Sequence, residues 1–378
     1  MARTLKSDKW LFWPTVLLIS ASLVMVYSAS AKLALDKYQV AYYLLVKQAI
    51  WAALGFACLG AAMRFDYHEY RRPAVIWSLI GVVVVALIAV FFFPARNHTQ
   101  RWIGFAGVTI QPSEFAKLAA ILFAAALLER RMHRVNDLGY ALLPIGLVTF
   151  LLAGLIIKQP DFGTSAVLVL VVTVLIFAAG LRYRYLAGAL VGLTAVGAAL
   201  IVTSDYRWRR FTTFLDPWND PLGDGFQIIQ SLIAVGSGGP LGRGLMAGVQ
   251  KLFYLPEPHT DFIYAVIGEE LGLLGTTLVL FCFAVIAWRG LRAALLAPDR
   301  FGTLLALGLT SMVALQALIN MSVVLGLLPT KGIPLPFVSN GGSSLVVNLI
   351  GMGILLNVSQ QSSHVVAAPL NPESVAAP

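Results

Sequence analysis

Apolar stretches, most of them about 18 residues or longer, recur along the chain between short polar connectors. They lie at about 11–30, 43–62, 73–93, 112–128, 140–157, 164–179, 186–203, 262–288, 302–325 and 345–358. As helix, a stretch of this kind crosses about 30 Å of hydrocarbon. In lipid a helix satisfies its backbone polar groups within itself, which an open strand or loop does not. The expectation is an all-α integral membrane protein with about ten transmembrane helices and a long extracytoplasmic loop between the seventh and eighth.

Composition excludes the alternative of a water-soluble core: 58% of the 378 residues are hydrophobic and only 12% are charged, with a mean hydropathy of +0.81. The first apolar run follows Arg3, Lys6 and Lys9 and closes on small residues, but it is too long for a cleaved signal.

Lys and Arg set the orientation. With the N-terminus cytoplasmic, the inside connectors hold Arg64, Arg71, Arg72, Arg130, Arg131, Arg134, Arg182, Arg184, Arg289, Arg292 and Arg300. These outnumber Lys32, Lys37, Arg96, Arg101, Lys158 and Lys331 in the short outside loops. Both termini are therefore expected in the cytoplasm, and the stretch 205–260 outside. The net charge of +9 reads as inside-facing cations meeting anionic headgroups, and nucleic acid is not indicated. Cys58 and Cys282 fall inside apolar runs and read as packing residues rather than a disulfide. Residues 1–361 form one polytopic membrane domain; residues 362–378, rich in Ser, Ala, Pro and Val, are expected to be a disordered cytoplasmic tail.

Ionisable residues at membrane depth and irregular loops mark where chemistry could lie. Glu114 and Lys117, one turn apart after Gln111-Pro112-Ser113, make either an i,i+3 ion pair or a site where the ammonium meets a lipid diphosphate. In Lys158-Gln159-Pro160-Asp161-Phe162-Gly163-Thr164, Asp161 is placed to cap the following helix. The outer stretch begins with Tyr206-Arg207-Trp208-Arg209-Arg210-Phe211, a pattern suited to the headgroup layer. Asp216, Asp220 and Asp224 do not have calcium-loop spacing, and the glycines of 236–244 match no phosphate fingerprint.

The stretch ends in Pro256-Glu257-Pro258-His259-Thr260-Asp261, before a span containing Glu269 and Glu270. In a helix from Asp261, Glu269 lies about 12 Å along the axis and is rotated by about 80°. The two are therefore not the pair of a glycosidase, which needs about 5–9.5 Å. Asp261, near the outer water boundary, serves either as a helix N-cap or as a base close to a headgroup. The loop 328–344, with Pro329, Pro334, Pro336, Gly332, Gly341 and Gly342, is irregular backbone that survives only against protein or water. It is expected to wall a cavity that Asn320 also faces.

Two segments carry a resemblance: Pro256-Glu257-Pro258-His259-Thr260-Asp261-Phe262-Ile263 with Glu269-Glu270-Leu271-Gly272, and Pro334-Leu335-Pro336-Phe337-Val338-Ser339-Asn340-Gly341-Gly342-Ser343-Ser344. Arg101-Trp102, Gln111-Pro112-Ser113-Glu114, Gln159-Pro160-Asp161-Phe162-Gly163-Thr164 and Gly236-Ser237-Gly238-Gly239 support it. From about Leu11 to Val358 the chain resembles the SEDS family (shape, elongation, division and sporulation). Val26-Tyr27-Ser28-Ala29-Ser30 and Thr330-Lys331-Gly332 are similar to its division-type rather than its elongation-type members. Asn340 departs from the family's usual Tyr, and Asn97-His98-Thr99-Gln100 replaces a common Gly-Ala segment.

The resemblance implies a peptidoglycan glycosyltransferase that polymerises lipid II, the undecaprenyl-diphosphate-linked disaccharide peptide, at the outer face of the cytoplasmic membrane. It also implies a class B penicillin-binding transpeptidase as partner, other division-complex membrane proteins, and a place at the septum. Asp261 would be the general base. Substrate contacts would come from Arg101, Glu114, Lys117, Arg243, Lys251, His259, Thr260, Asn320, Lys331, Ser339, Gly341, Gly342 and Ser343. Asp161, Glu269, Glu270, Pro334 and Pro336 would shape the cavity. A departing diphosphate needs its growing charge stabilised, by Arg101, Lys117, Lys331, Arg243 and Lys251 or by a divalent cation such as Mg or Mn. The residues fit two other classes as well: a lipid II flippase using Glu269, Glu270 and Lys117 within the membrane, and a non-catalytic scaffold that recruits division proteins.

Overall fold

The computed structural model describes residues 7–94, 99–105, 108–223, 225–252, 254–330 and 332–367. Asn97, His98, Asp224, Lys331 and the tail 368–378 lie outside them. In chain order the helices are α1 (Lys9–Tyr38), α2 (Tyr43–Arg64), α3 (Pro73–Ala89), α4 (Pro112–Arg131), α5 (Leu143–Lys158), α6 (Phe162–Ala178), α7 (Tyr183–Val202), α8 (Asp205–Leu215), α9 (Phe226–Gly238), α10 (Ile263–Leu295), α11 (Arg300–Val324) and α12 (Gly342–Ala367).

Ten of these correspond to the ten apolar stretches, and the chain is a multi-pass helical membrane protein. Among the described residues, seven helices are long and apolar enough by themselves to cross a bilayer. The other three are α4, α6 and α7. In α4, Glu114, Lys117 and Glu129 dilute the apolar run; α6 has 17 residues, slightly under a full span. Two elements were not anticipated as regular structure. The second outer loop, between α3 and α4, forms a small hairpin, β1 (Ile103–Phe105) against β2 (Val108–Ile110), with Ile103 opposite Ile110. The long outer stretch holds α8 and α9. At the other end, α12 continues to Ala367, so the first residues of the expected tail are helical.

The bundle is built around α4 and α12. Ala116 and Ala119 to Ala126 are buried on every side of α4, because small side chains let helix backbones approach. Gly353 of α12 lies where an added Cβ would be 2.6 Å from the Leu59 carbonyl oxygen of α2. Large apolar side chains point outward instead on the peripheral helices, among them Ile50, Val82, Val85, Phe150, Phe281 and Trp288, as a lipid-facing surface requires.

The ends of the helices place the loops. Asp8 caps α1 and pairs with Arg289 near the end of α10 at 2.5 Å; Gln360 of α12 donates to Ser7. The start of α1 and the ends of α10 and α12 thus share one face. On it, Tyr67 donates to Asp299 at 2.7 Å, and Arg71 meets Glu129 at 3.1 Å. The hairpin, the α5–α6 loop, α8, α9, the segment before α10 and the proline-rich loop all fall on the opposite face.

The helix α10 is broken. Gly272 has φ 64° and ψ −157°, which separates two helical halves. The loop after α9 fills the gap: Arg243 and Gly244 donate their N–H groups to the carbonyls of Glu269 and Glu270, and Leu273 and Leu274 donate to Gly239 and Pro240. Each helix end thereby satisfies backbone groups that lipid could not.

Candidate active site at the junction of the outer loops

The segment 256–261 and the proline-rich loop are joined by side chains from several helices. Asn320 of α11 donates both to the Asp261 carbonyl (2.9 Å) and to that of Ile333 (2.7 Å). Ser339 donates to the Thr260 carbonyl and accepts from Leu335 N–H, while Asn340 N–H donates to the His259 carbonyl. From α1 and α2, Ser22 and Gln48 hold the Val338 and Ser339 carbonyls. Two irregular segments thus act as one rigid wall. Its closeness explains a glycine: a Cβ on Gly332 would stand 2.8 Å from a carboxylate oxygen of Asp261.

A second cluster stands beside it. Asp161 caps α6, accepting from Thr164 N–H and Thr164 Oγ1, and also accepts from Gln111 Nε2. Arg101 donates to the carbonyls of Gln159 and Pro160 and lies 4.0 Å from Asp161. Gln111 N–H donates to Ser343 at the start of α12, where Gly342 makes room for Trp51, 2.2 Å from an added Cβ. Of the residues expected at substrate, Asn320, Ser339, Gly342 and Ser343 thus build the walls of this region.

Asp261 is partly solvent-accessible and lies outside the spanning helices. Crowding by surrounding atoms, then Glu257, push its carboxyl from the ordinary 3.8 up to about 7, Asp161 adding in the same sense and Arg101 and Arg210 opposing. A carboxylate near neutrality can take and release a proton at the pH of the cell. His259 is held below its ordinary value by burial, so its imidazole stays neutral; its Nε2 is 3.9 Å from Glu257.

Of the other expected cations, Lys331 lies outside the described residues, and Lys117, Lys251 and Arg243 pair with carboxylates elsewhere. Lys117 is buried against Glu114 at 3.0 Å and donates to Gln316, which in turn holds the Pro334 carbonyl. The i,i+3 ion pair is therefore present, and it ties α4 to α11 and the proline-rich loop. Lys251 pairs with Glu270 at 2.5 Å and donates to Ser28. Arg243 lies 3.5 Å from Glu269. Glu269 also accepts from Val249 and Gln250 N–H groups, and Glu270 from Met246. The two glutamates thus fasten the loop that plugs the α10 break, which accounts for their placement at membrane depth. Arg210 was missed as a site residue; its signal was the alternation of arginine and aromatics in 206–211. It donates to the Thr330 carbonyl and its charge acts on Asp261. Among the described residues no group of three or more His, Cys, Asp or Glu is arranged to hold a metal ion.

A bundle of about ten spans carrying one such loop junction on a single face defines a class of polytopic membrane protein, and comparison with known proteins agrees. Residues 9–364 match the FTSW_RODA_SPOVE family of cell cycle proteins, and the chain belongs to that family. It is 44% identical over 348 residues to a probable peptidoglycan glycosyltransferase FtsW of Geobacter metallireducens, covering 91% of this chain and 92% of that one. It is also 44% identical over 356 residues to the stage V sporulation protein E of Bacillus subtilis, covering 93% and 96%. A chain in a structure described as the structural coordination of polymerization and crosslinking by a peptidoglycan synthase complex superposes with TM-score 0.76 at 30% identity, over 95% of this chain and 99% of that one. The rod shape determining protein RodA of Thermus thermophilus superposes with TM-score 0.67 at 27% identity, over 94% and 97%.

Proposed function

We propose that this protein is a peptidoglycan glycosyltransferase that polymerises lipid II into glycan strands at the outer face of the cytoplasmic membrane during septal wall synthesis, releasing undecaprenyl diphosphate. One observation carries the reading: the Asp261 carboxylate, pushed up to about 7 and partly open to water, lies in the field of Arg101 and Arg210, on a loop junction that Asn320 and Ser339 hold together. Relatives named as probable FtsW glycosyltransferases support it. Both termini are taken as cytoplasmic from the Lys and Arg bias, and the working partner as a class B penicillin-binding transpeptidase within the division complex.

In this mechanism Asp261 accepts the proton of the acceptor sugar's 4-hydroxyl as that oxygen attacks the donor's anomeric carbon. A single displacement of this kind inverts the centre and asks for one base. The leaving diphosphate needs cations rather than a second acid, and Arg101 is placed to supply one. A Mg or Mn ion, if used, would take its ligands from diphosphate and water and would neutralise the leaving charge. Lys117, Lys251 and Arg243 act on the scaffold through their carboxylate partners.

The flippase reading draws on the broken helix and its glutamates. Those glutamates hold backbone N–H groups and two cations, which leaves them little freedom to carry a cargo. The test is synthesis from purified lipid II in detergent, with the transpeptidase partner, by wild type and Asp261→Asn. Polymer from wild type alone is expected; polymer from both removes Asp261 from the mechanism, and polymer from neither favours transport.

A further inference from the structure

On the glycosyltransferase reading, the reaction handles two lipid diphosphates at once. The bond formed joins the acceptor's O4 to the donor's anomeric carbon; the bond broken joins that carbon to the donor's diphosphate oxygen, which keeps the electron pair. The proton goes to Asp261. The diphosphate changes from a diester to a monoester and gains one negative charge as the carboxylate loses one. The donor's diphosphate is attached to the carbon under attack, so it lies within a few bonds of the base, whereas the acceptor's lies a whole disaccharide away. A cation that shares the field of Asp261 therefore belongs to the donor.

Arg210 has that position. It lies on α8, whose Trp208 and Leu215 are exposed, a helix suited to the headgroup layer where a lipid diphosphate sits. Arg210 itself turns inward and is partly buried, and its Nη1 donates to the Thr330 carbonyl at 3.1 Å. Two residues later, Gly332 lies against the Asp261 carboxylate. The guanidinium, through Thr330, and the base, through Gly332, therefore meet the same loop. Arg101, 4.0 Å from Asp161, approaches the same region from the side of the α5–α6 loop, whose carbonyls hold it. An arginine fork also matches phosphate oxygens in geometry.

We propose that Arg210 binds the diphosphate of the departing donor lipid and stabilises its charge as the glycosidic bond breaks. The probe is undecaprenyl diphosphate itself, with undecaprenyl monophosphate as control, bound to the full-length detergent-solubilised protein by titration calorimetry. Arg210→Gln is expected to weaken diphosphate binding tenfold or more, with a smaller loss for the monophosphate, and to lower kcat for polymerisation by at least as much. Arg210→Lys, which keeps the charge but not the fork, is expected to restore part of the binding. Unchanged diphosphate binding by Arg210→Gln overturns the proposal. So does an equal loss in both variants accompanied by a lowered melting temperature, which would mark the Thr330 contact as purely structural. Polymer formation by wild type tests the glycosyltransferase reading separately; its absence removes that reading, whereas normal binding and synthesis by Arg210→Gln removes only the role of Arg210.

Discussion

Replacing Asp261 with Asn tests the site through two independent consequences of one proton. A rise from 3.8 to about 7 corresponds at most to about 4 kcal/mol of folding free energy. Partial solvent access reduces this to about 1–2 kcal/mol by screening. The folded-state pKa lies above the unfolded value, so the native protein holds this proton more tightly. Its destabilising effect is absent below about pH 4, develops between there and about pH 7, and is complete above. The Asn variant, which cannot ionise, should therefore melt higher than wild type at about pH 8, and the difference should vanish toward about pH 4. Catalysis moves the other way. The base must be ionised, so wild-type polymerisation should fall as pH drops through about 7, and the variant should lose about 10²–10⁴-fold. Thermal melts of purified protein across this range, alongside glycan gels from lipid II, give both readouts. A melting difference that does not change with pH would refute the assigned environment, and undiminished glycan from the variant would refute the assigned role.

Glu270→Gln leaves the Lys251 ammonium buried without its carboxylate, and a loss of about 3–5 kcal/mol is expected; thermal melts should show most of it recovered in Glu270→Gln combined with Lys251→Met. Gly272→Ala must take φ 64° and bring a Cβ within 2.3 Å of the Gly242 nitrogen, so limited proteolysis should find the loop 238–251 released. Chelation by EDTA is expected to depress polymerisation and added Mg or Mn to restore it; full activity in EDTA would leave the arginines as the sole counter-charge.

What the sequence made legible follows from how local each signal is. Ten apolar runs are a one-dimensional property, and their alternation across the bilayer is enough to bring Arg101, Asp161, Asp261 and the proline-rich loop to one face. The capping role of Asp161 is equally local, set within three residues. The break in α10 was not legible, because a helix interrupted at Gly272 is stable only when carbonyls and N–H groups near Gly239 and Arg243 complete it. That pairing spans about thirty positions of chain, and its trace in sequence is a set of glycines without phosphate-loop spacing. The same omission misdirected the cations. Lys251 and Arg243 read as diphosphate ligands while their counter-charges, Glu270 and Glu269, lay on a helix whose facing loop was unknown. Arg210 was overlooked because an arginine among aromatics also describes an ordinary interfacial helix, and only the contact with Thr330 turns it toward the site.

Depth then sorts the charges into two kinds of work. Lys117 with Glu114, and Lys251 with Glu270, have at most 5% of their side-chain surface exposed, and separating either pair to meet a substrate would leave an uncompensated charge in a low-dielectric setting. Such pairs are suited to fixing helices and loops, which need never let go. Asp261 and Arg101 sit instead in irregular outer segments, and Arg210 on the outer helix α8, held by backbone carbonyls and amide side chains. There a proton can leave and a diphosphate can arrive with water still at hand to compensate. A reaction that moves one negative charge from a carboxylate to a leaving group needs that second setting. The buried pairs serve it indirectly: Lys117 through Gln316 and Pro334, and the two glutamates through the loop that completes α10, hold still the backbone from which the mobile charges project.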